Sequence, residues 1–405
     1  MKICVVVDDY LPDSTRVGAK MMHDLCVEFI RRGHEVTVIT PQNHSTSVEI
    51  SIIDNVRVRR FPSGPTKNVK NVIRALNETL LPWRAWASDK NFLRSTPHDF
   101  IIYYSPCIFW APLIRRLKSI WGVKAFLVQR DFFPQWAVDI GMLKEGSIIT
   151  RYFRRCESAT YKQADIIGIQ SKKNMEAFRD HHPSAARLEL LYNWADDRPG
   201  KRKESGIRKF LGLDDKVIFL YGGAITKQQD IPNLLRLAKF MQTEPEAHFL
   251  IVGEGYDLPN VEKIVKQQKL QNVTICPPVD QNAFRDLLAE VDIGLFSLSR
   301  DHSTHNFPGK ILGYLVQGLP IIGSVNPGND LEMVISSAGA GLVAINGEDT
   351  KLQEAALRLL KNAAARAEAG AAARNLLATK FSVSSAAAII EQAWMCELEC
   401  QKCVS

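Results

Sequence analysis

Four loops of the chain carry glycines, basic side chains or carboxylates directly after apolar runs that predict β-strands. In one of them, residues 302–310, a polar loop leads into Pro308–Gly309–Lys310, where a helix is predicted to begin. The unpaired N–H groups and positive dipole end of such a helix stabilise an anionic leaving group. A turn at 326–330 follows the next predicted strand. We interpret this block as an anion-binding site.

The other three loops each allow a chemical and a structural interpretation. Gly223 follows a buried strand, and Lys227 could neutralise a diphosphate, but the same residues suit a plain strand-to-helix turn. Arg130 and Asp131, with the aromatic residues after them, suit a sugar ring and the charge that develops beside it, or form a surface ion pair. Gly18 could let backbone N–H groups approach an anion, or belong to an ordinary loop, since the dinucleotide fingerprint is absent.

The elements that position these loops follow from the alternation of short β-branched runs with amphipathic segments, which is typical of βαβ units and a parallel sheet. A basic, proline-containing segment at 196–209 interrupts the alternation and predicts a linker. We therefore expect an α/β protein with two Rossmann-like, doubly wound domains, at 1–197 and 198–381, and a last helix at 382–405 that crosses back to the first domain. All four loops then lie at the carboxyl ends of strands, where such sheets bind ligands.

The composition is that of a folded protein, because 46% of the 405 residues are hydrophobic and 23% are charged. The net charge of +7 is unevenly distributed, since residues 1–200 hold 29 basic and 21 acidic side chains and the remainder is nearly neutral. Segment 57–124 alone has 13 basic side chains against three acidic ones. A basic patch therefore belongs to the first half of the chain.

The start of the chain and the longest apolar stretches predict a cytoplasmic protein. The opening sequence meets acidic residues at once and has no signal-peptide pattern. No strongly apolar, uncharged stretch reaches the roughly 20 residues that span a bilayer. We therefore expect no transmembrane helix.

Candidate metal ligands are sparse. Cys396, Cys400 and Cys403 have a spacing that could hold an iron–sulfur cluster, but without a glycine-rich loop after them we interpret them as part of a helix end. The pairs His181/His182 and His302/His305 lack acidic or cysteine partners nearby. The chain also has no Asp-x-Asp triplet. We expect no metal site and no cofactor.

Three motifs together resemble family 4 retaining glycosyltransferases, in particular a bacterial branch used in O-antigen, capsule and colanic acid synthesis. They are Pro308–Gly309–Lys310 at a helix start, Gly318–Leu319–Pro320 at a strand start, and the turn Pro327–Gly328–Asn329–Asp330. The resemblance extends over essentially the whole chain and is strongest to WbuB-like N-acetyl-L-fucosamine transferases. It implies the GT-B architecture, in which two Rossmann-like domains face a central cleft.

The resemblance also implies an activity. The expected reaction is retaining transfer of a sugar, N-acetyl-L-fucosamine, from its UDP form to a saccharide on undecaprenyl diphosphate. The UDP-sugar is a substrate, and we expect neither metal nor cofactor. The enzyme would be cytoplasmic and peripheral to the inner face of the plasma membrane, with an anionic membrane surface as partner and no nucleic acid.

Several residues depart from the pattern of the family. The carboxylates of its E-x7-E pair fall on His305 and Gly313, so His305 is the candidate contact to the sugar or phosphate and Glu332 is an available acid. The histidine of its catalytic region aligns with Arg130 and Asp131. The resemblance thus implies Asp131, Arg130 and His305 as catalytic residues, with Asp131 as a base or orienting group.

The cations that clamp the diphosphate in the family are replaced as well. Its Arg and Lys fall on Ala224 and Gln229, which leaves Lys227 as the expected substitute and Lys310 as a second cation. The residues implied to bind the donor nucleotide-sugar are Gly18, Gly223, Lys227, Gln229, Asn306, Phe307, Gly309, Lys310, Asn329 and Glu332.

The basic segment 57–124 has two interpretations. Its apolar residues, interleaved with Arg and Lys, suit contact with anionic lipid headgroups, which matches a lipid-linked acceptor. Alternatively they form an aromatic core beneath a solvated basic face. The residues in question are Leu80, Leu81, Trp83, Trp86, Phe92, Leu93, Ile108, Phe109, Trp110 and Trp121.

Two other functions remain open at this point. A UDP-sugar 2-epimerase shares the two-domain architecture, although it needs no lipid surface. A non-catalytic subunit that binds UDP would be consistent with the missing glutamates.

Overall fold

The protein has a mixed α/β fold with two doubly wound parallel sheets, as the alternating pattern predicts. The structure is a computed structural model that describes residues 1–404 except 15, 44, 68, 140, 183–185, 199–204, 302–304 and 306, with backbone alone from 397 onward. The chain divides into two compact units. The first comprises residues 1–193 and 383–405, and the second comprises 194–382.

The first unit begins with fourteen described elements. They are β1 (Lys2–Val6), α1 (Val17–Arg31), β2 (Glu35–Gln42), β3 (Glu49–Ile53), β4 (Val56–Pro62), α2 (Asn71–Ser95), β5 (Phe100–Tyr104), α3 (Ala111–Trp121), β6 (Lys124–Gln129), α4 (Gln135–Asp139), α5 (Ile148–Gln163), β7 (Ile166–Ile169), α6 (Lys172–His181) and β8 (Arg187–Leu190).

The sheet of the first unit has the strand order β3-β4-β2-β1-β5-β6-β7-β8. Neighbouring strands of this sheet are parallel except β3 and β4, which are antiparallel. A tight turn at Asp54 and Asn55 joins these two strands. The central strands β1 and β5 are buried, as expected of a sheet covered by helices on both faces. The strand order reverses between β1 and β5, so the ends of these two strands mark the ligand edge of this sheet.

The second unit follows the same plan. Its elements are α7 (Ile207–Leu211), β9 (Val217–Gly222), α8 (Ile231–Phe240), β10 (Ala247–Val252), α9 (Leu258–Gln268), β11 (Val273–Cys276), α10 (Gln281–Leu288), β12 (Ile293–Ser297), α11 (Lys310–Gln317), β13 (Ile321–Val325), α12 (Leu331–Ser337), β14 (Gly341–Ile345), α13 (Asp349–Lys361) and α14 (Ala363–Leu376).

The second sheet is parallel throughout, with strand order β11-β10-β9-β12-β13-β14 and a reversal between β9 and β12. Helix α11 packs against the sheet at this reversal, and Tyr314 is the residue that makes the contact. A Cβ on Gly294 of β12 would come within 2.4 Å of the Tyr314 ring. The Tyr314 hydroxyl lies 2.9 Å from the carbonyl oxygen of Leu295 and 3.1 Å from that of Leu220. The glycine therefore creates the space in which α11 packs against both strands.

The last helix, α15 (Val383–Val404), belongs to the first unit. Glu391 accepts hydrogen bonds from Arg32 (2.8 Å) and from His34 (2.7 Å), which follow α1. The Trp394 ring lies 6.1 Å from that of Phe100. An ion pair and an aromatic contact thus fix the helix against the first sheet.

The apolar residues of segment 57–124 mostly belong to the core, so the core interpretation holds for most of them, and a membrane contact stays a prediction. Five of the ten are buried in the first unit, namely Leu81, Leu93, Ile108, Phe109 and Trp110. Trp86, Phe92 and Trp121 are partly buried against the same core. The guanidinium groups of Arg59 and Arg116 lie 3.6 Å and 4.5 Å from the ring centroids of Phe92 and Trp86. Of the ten, only Trp83 is an exposed large hydrophobic residue.

Several smaller expectations can be placed on the structure. In the described part of the chain no helix is long and apolar enough to cross a membrane. Nor do any three described His, Cys, Asp or Glu side chains group in a way that could hold a metal ion. Cys396 lies on α15, whereas the side chains of Cys400 and Cys403 fall outside the described residues.

Asn233 connects α8 to the second sheet through side-chain hydrogen bonds. It is buried, and its amide donates to the hydroxyl groups of Ser297 (3.1 Å) and Ser324 (2.8 Å) at the ends of β12 and β13. Both serines are themselves fully buried. The amide nitrogen thus pairs with two hydroxyl groups in a place that water does not reach, while the amide oxygen accepts from Arg236 (2.8 Å).

We expect Asn233→Ala to lower the free energy of unfolding by about 1–3 kcal/mol, because it leaves two buried hydroxyl groups without this donor. Urea denaturation followed by circular dichroism measures the loss. Gln267→Ala on the exposed side of α9 is the matched control and should change stability by no more than about 0.5 kcal/mol. Equal effects of the two substitutions would contradict the role given to Asn233.

Candidate functional site

The loops after β9 and β12 meet at the point where the second sheet reverses its strand order. Gly223, the first residue after β9, has a φ of +135°, which few residues other than glycine adopt. A Cβ at this position would lie 3.2 Å from Cε of Lys310. The glycine therefore lets the side chain of Lys310, the first residue of α11, lie against the loop.

Lys310 is the central cation of this edge. Its Nζ donates to the Gln229 side-chain oxygen and to the Tyr221 hydroxyl (3.0 Å), and lies 4.1 Å from the centroid of the Tyr221 ring. Burial of the amine lowers its pKa from 10.5 to about 7. These partners orient the amine without a formal negative charge, so an anion bound here would supply the missing charge.

The short 3₁₀ turn Lys227–Gln229 carries the second expected cation. The Lys227 side chain is exposed, whereas its backbone N–H donates to the Tyr256 hydroxyl (3.1 Å). That hydroxyl donates in turn to the Gln228 side chain (2.7 Å). Because exposed charges are screened by water, Lys310 and not Lys227 is the stronger candidate for the diphosphate. This reverses the order expected from the sequence.

A second group of residues surrounds the turn after β13. The Asn326 amide donates to Nδ1 of His305 (3.3 Å), and the Asn329 amide donates to the Asn326 side-chain oxygen (3.1 Å). The backbone N–H of Leu331 donates to the Asn329 side chain (3.1 Å). His305 is thereby linked to the start of α12, whose first turn contains Glu332.

The remaining donor-site candidates differ in accessibility. Gly309 is exposed directly before α11, and a Cβ there would meet nothing within 4 Å. Phe307 is buried, and its ring lies 6.2 Å from that of Phe381. Asn306 lies outside the described residues.

In the first unit, Gly18 and Arg130 meet at Tyr104, the last residue of β5. A Cβ on Gly18 would lie 2.9 Å from the Tyr104 hydroxyl, so packing alone explains this glycine. One guanidinium nitrogen of Arg130 donates to the same hydroxyl (3.1 Å) and to the sulfur of Met21 (3.5 Å). Gly18 is therefore the second residue of α1 and not part of a loop, and it lets the start of this helix pack against Tyr104.

Asp131 lies directly after Arg130 beyond the end of β6. Its backbone carbonyl accepts hydrogen bonds from Ser105 (3.1 Å) and Gln129 (2.9 Å), which fixes the position of the residue. Burial raises the pKa of the Asp131 carboxyl, and the positive charge of Arg130 opposes that rise. A carboxyl group with a raised pKa at the ligand edge of a sheet is suited to proton transfer.

Three residues of these edges were not expected from the sequence. Tyr221 contacts Lys310 and Tyr256 contacts the 3₁₀ turn, and the available signal was an aromatic residue at the end of β9 and another in the loop after β10. Asp8 follows β1, and its pKa is raised to about 6, first by burial and then by the charges of Glu78 and Asp9. The signal for Asp8 was a carboxylate directly after the central strand, at the reversal of strand order.

Known families match both units. Residues 18–194 match the profile of the glycosyl transferase 4-like domain, and residues 203–376 match that of glycosyl transferases group 1. The chain is 25% identical over 344 residues to WcaI of Escherichia coli (strain K12), which is named as a colanic acid biosynthesis glycosyl transferase. The match covers 78% of this chain and 82% of WcaI.

Solved structures share the fold. Sucrose-phosphate synthase of Thermosynechococcus elongatus superposes with a TM-score of 0.70 at 15% identity, over 98% of this chain and 99% of that one. Anabaena HepE in complex with UDP superposes with a TM-score of 0.64 at 14% identity, over 97% and 99% of the two chains. These likenesses support the GT-B architecture, and the transferase matches decide against the epimerase and the non-catalytic subunit. The chain is a family 4 glycosyltransferase of the GT-B fold, with a glycosyl transferase 4-like domain followed by a group 1 domain.

Proposed function

We propose that this enzyme transfers N-acetyl-L-fucosamine, with retention of configuration, from its UDP form to a saccharide on undecaprenyl diphosphate during synthesis of a bacterial surface polysaccharide such as O-antigen. The observation that carries the UDP-sugar part is the buried cation of Lys310 at the start of α11, where the strand order reverses. The name of WcaI supports polysaccharide synthesis. The complex of HepE with UDP supports a uridine donor.

The second unit can stabilise the departing UDP without a covalent step on the protein. A diphosphate that leaves the sugar gains negative charge, and Lys310 together with the first N–H groups of α11 would offset that charge. Gly223 and Gly309 leave the backbone open to the phosphates. His305, held by Asn326, is assigned to the sugar or phosphate in place of the carboxylate of the family.

The first unit is assigned to the acceptor. Asp131 would accept the proton of the acceptor hydroxyl or orient this hydroxyl. The positive charge of Arg130 would stabilise the ionised carboxyl of Asp131. The acceptor is carried by a lipid, so we place the enzyme at the inner face of the plasma membrane as a peripheral protein. Its partners are then the UDP-sugar, the lipid-linked saccharide and an anionic membrane surface.

The donor assignment is tested by thermal shift with a panel of UDP-sugars, followed by transfer to a lipid-linked acceptor. A ligand at 100 times its Kd raises the free energy of unfolding of the second unit by about 2.7 kcal/mol. The correct donor should therefore raise Tm by about 5 °C or more. UDP-N-acetyl-L-fucosamine should give the largest shift and yield product with unchanged anomeric configuration. A donor epimerised without any acceptor would contradict the proposal.

We expect transfer to be independent of metal ions, because Lys310 and α11 supply the positive charge that a metal provides in other architectures. The rate should be the same in EDTA as in buffer with manganese. Loss of activity in EDTA with recovery on adding manganese would show that a metal supplies this charge instead.

Lys310→Ala should weaken UDP binding by roughly 10- to 150-fold, since a hydrogen bond to a charged group is worth about 1.5–3 kcal/mol. Lys227→Ala should cost about fivefold at most, because its amine is exposed. Isothermal titration calorimetry measures both. Lys263→Ala, an exposed lysine of α9, is the matched control and should bind UDP as the wild type does.

The pH dependence of the same affinity separates the charge of Lys310 from its packing. With a pKa of about 7, the amine is protonated below pH 7 and becomes neutral as the pH rises. UDP affinity of the wild type should therefore fall above pH 7, by up to about tenfold per pH unit. Lys310→Ala should lack this fall. A wild-type affinity that is constant from pH 6.5 to 8.5 would place the diphosphate elsewhere.

A further inference from the structure

Strand β3 is an open edge of the first sheet. Among the described strands it pairs with β4 alone, in an unbroken antiparallel register from Glu49 opposite Arg60 to Ile53 opposite Val56. Edge strands of monomeric proteins are usually protected by a lysine, a proline or a bulge. Strand β3 has the sequence Glu-Ile-Ser-Ile-Ile, and its register with β4 contains no bulge. The outer edge of β3 is therefore open to pairing with another strand.

The turn between β3 and β4 determines which backbone groups of β3 point outward. Asp54 and Asn55 have φ values of +48° and +65°, which are typical of a type I′ turn. In a hairpin of this kind the two residues that flank the turn exchange both hydrogen bonds, and bonded and non-bonded pairs alternate from there. The backbone N–H and C=O groups of Ile50 and Ile52 therefore point away from β4.

The same two residues expose their side chains. Ile50 is 59% exposed and Ile52 is 73% exposed. Because side chains alternate along a strand, both isoleucines lie on one face of the sheet, with Ser51 between them on the other face. Single exposed apolar residues are common, but here two of them coincide with the outward backbone groups of an edge strand. This coincidence indicates a strand-pairing surface.

We propose that β3 pairs with β3 of a second copy of the chain, antiparallel about a two-fold axis at Ser51. In this register Ile50 of each copy lies opposite Ile52 of the other, and the outward backbone groups of both residues form hydrogen bonds. A two-fold contact brings the same surface of both copies together and therefore needs a self-complementary sequence. Isoleucines at equal distances on either side of Ser51 meet that need. The eight-stranded sheets of two copies then form one continuous sheet.

The charges near the edge permit this pairing. Glu49, the charged residue of β3, lies opposite Ile53 of the second copy, and the two Glu49 side chains are roughly 13 Å apart along the strands. Arg57 of β4 is three strand spacings, or roughly 14 Å, from Arg59 of the second copy. Both separations exceed the screening length of about 10 Å in 0.1 M salt. Arg59 is in addition paired with Asp89 of its own chain (2.6 Å). No like charges meet in the proposed register.

The test is sedimentation velocity of the full chain from about 1 to 200 µM, a range suited to a small interface made by one pair of strands. We expect the wild type to dimerise reversibly with a Kd on the order of 10 µM. A wild type that stays monomeric up to the highest concentration would overturn the inference and would leave the edge to a different partner or to solvent.

Two double variants test the register. Ile50→Lys/Ile52→Lys places lysines opposite one another and should weaken dimerisation at least about tenfold. Ile50→Lys/Ile52→Glu changes the same positions, but each lysine then lies opposite a glutamate of the second copy. This variant should dimerise at least about tenfold more tightly than the first. Val72→Lys/Leu76→Lys on the exposed side of α2 is the matched control and should dimerise as the wild type does.

Either of two further results would contradict the inference. Dimerisation of Ile50→Lys/Ile52→Lys at the wild-type Kd would place the interface elsewhere. Equal weakening in the two double variants would exclude the register about Ser51. Circular dichroism of the same samples shows that the substituted chains are folded. The affinity for UDP belongs to the second unit and is measured separately, so a monomeric protein leaves the proposed reaction to its own tests.

Discussion

The contact between the Tyr314 ring and Gly294 determines where the chemistry of the second unit lies. With a side chain at 294, the ring would lose its space and α11 would move away from β9 and β12. The hydroxyl contacts to Leu220 and Leu295 hold the same helix against both central strands. Lys310 is one turn before Tyr314, so the position of the cation follows from the packing of an aromatic ring against a glycine.

The buried amine at this position carries an energetic cost that explains its surroundings. Removal of an ammonium group from water is unfavourable, and Gln229 and Tyr221 offset only part of that cost through hydrogen bonds and the face of the ring. An ion pair with a carboxylate would offset more, but it would also compete with a phosphate. A neutral amide at position 229 orients the amine and leaves its charge for a ligand.

The fold was predictable because the spacing of apolar residues along the chain reflects which faces of helices and strands are buried. The partners of a side chain, by contrast, depend on contacts between residues that are distant in the sequence. The two parallel sheets and the loop with Lys310 follow from apolar runs and the residues after them. Helix α2 is hard to predict from the sequence because apolar residues on both of its faces obscure the helical period, and it contains Pro82. The edge strand β3 has a weaker signal, namely the Asp54–Asn55 turn that joins it to β4 as a hairpin. The preference for Lys310 over Lys227 could not be predicted from the sequence, because burial is not visible in the spacing of residues.

The two parts of the first unit are synthesised at different times, because the whole second unit lies between them in the sequence. Glu391 connects helix α15 to the residue after α1. In the sequence, however, residues 194–382 of the second unit separate α15 from the rest of the first unit. At about 5–20 residues per second, a ribosome needs roughly 10–40 s to make that intervening unit. During this interval the surface of α1 and β5 that α15 covers is open. The second unit can therefore be complete before the first unit receives its last helix, and an N-terminal unit is here the later one to close.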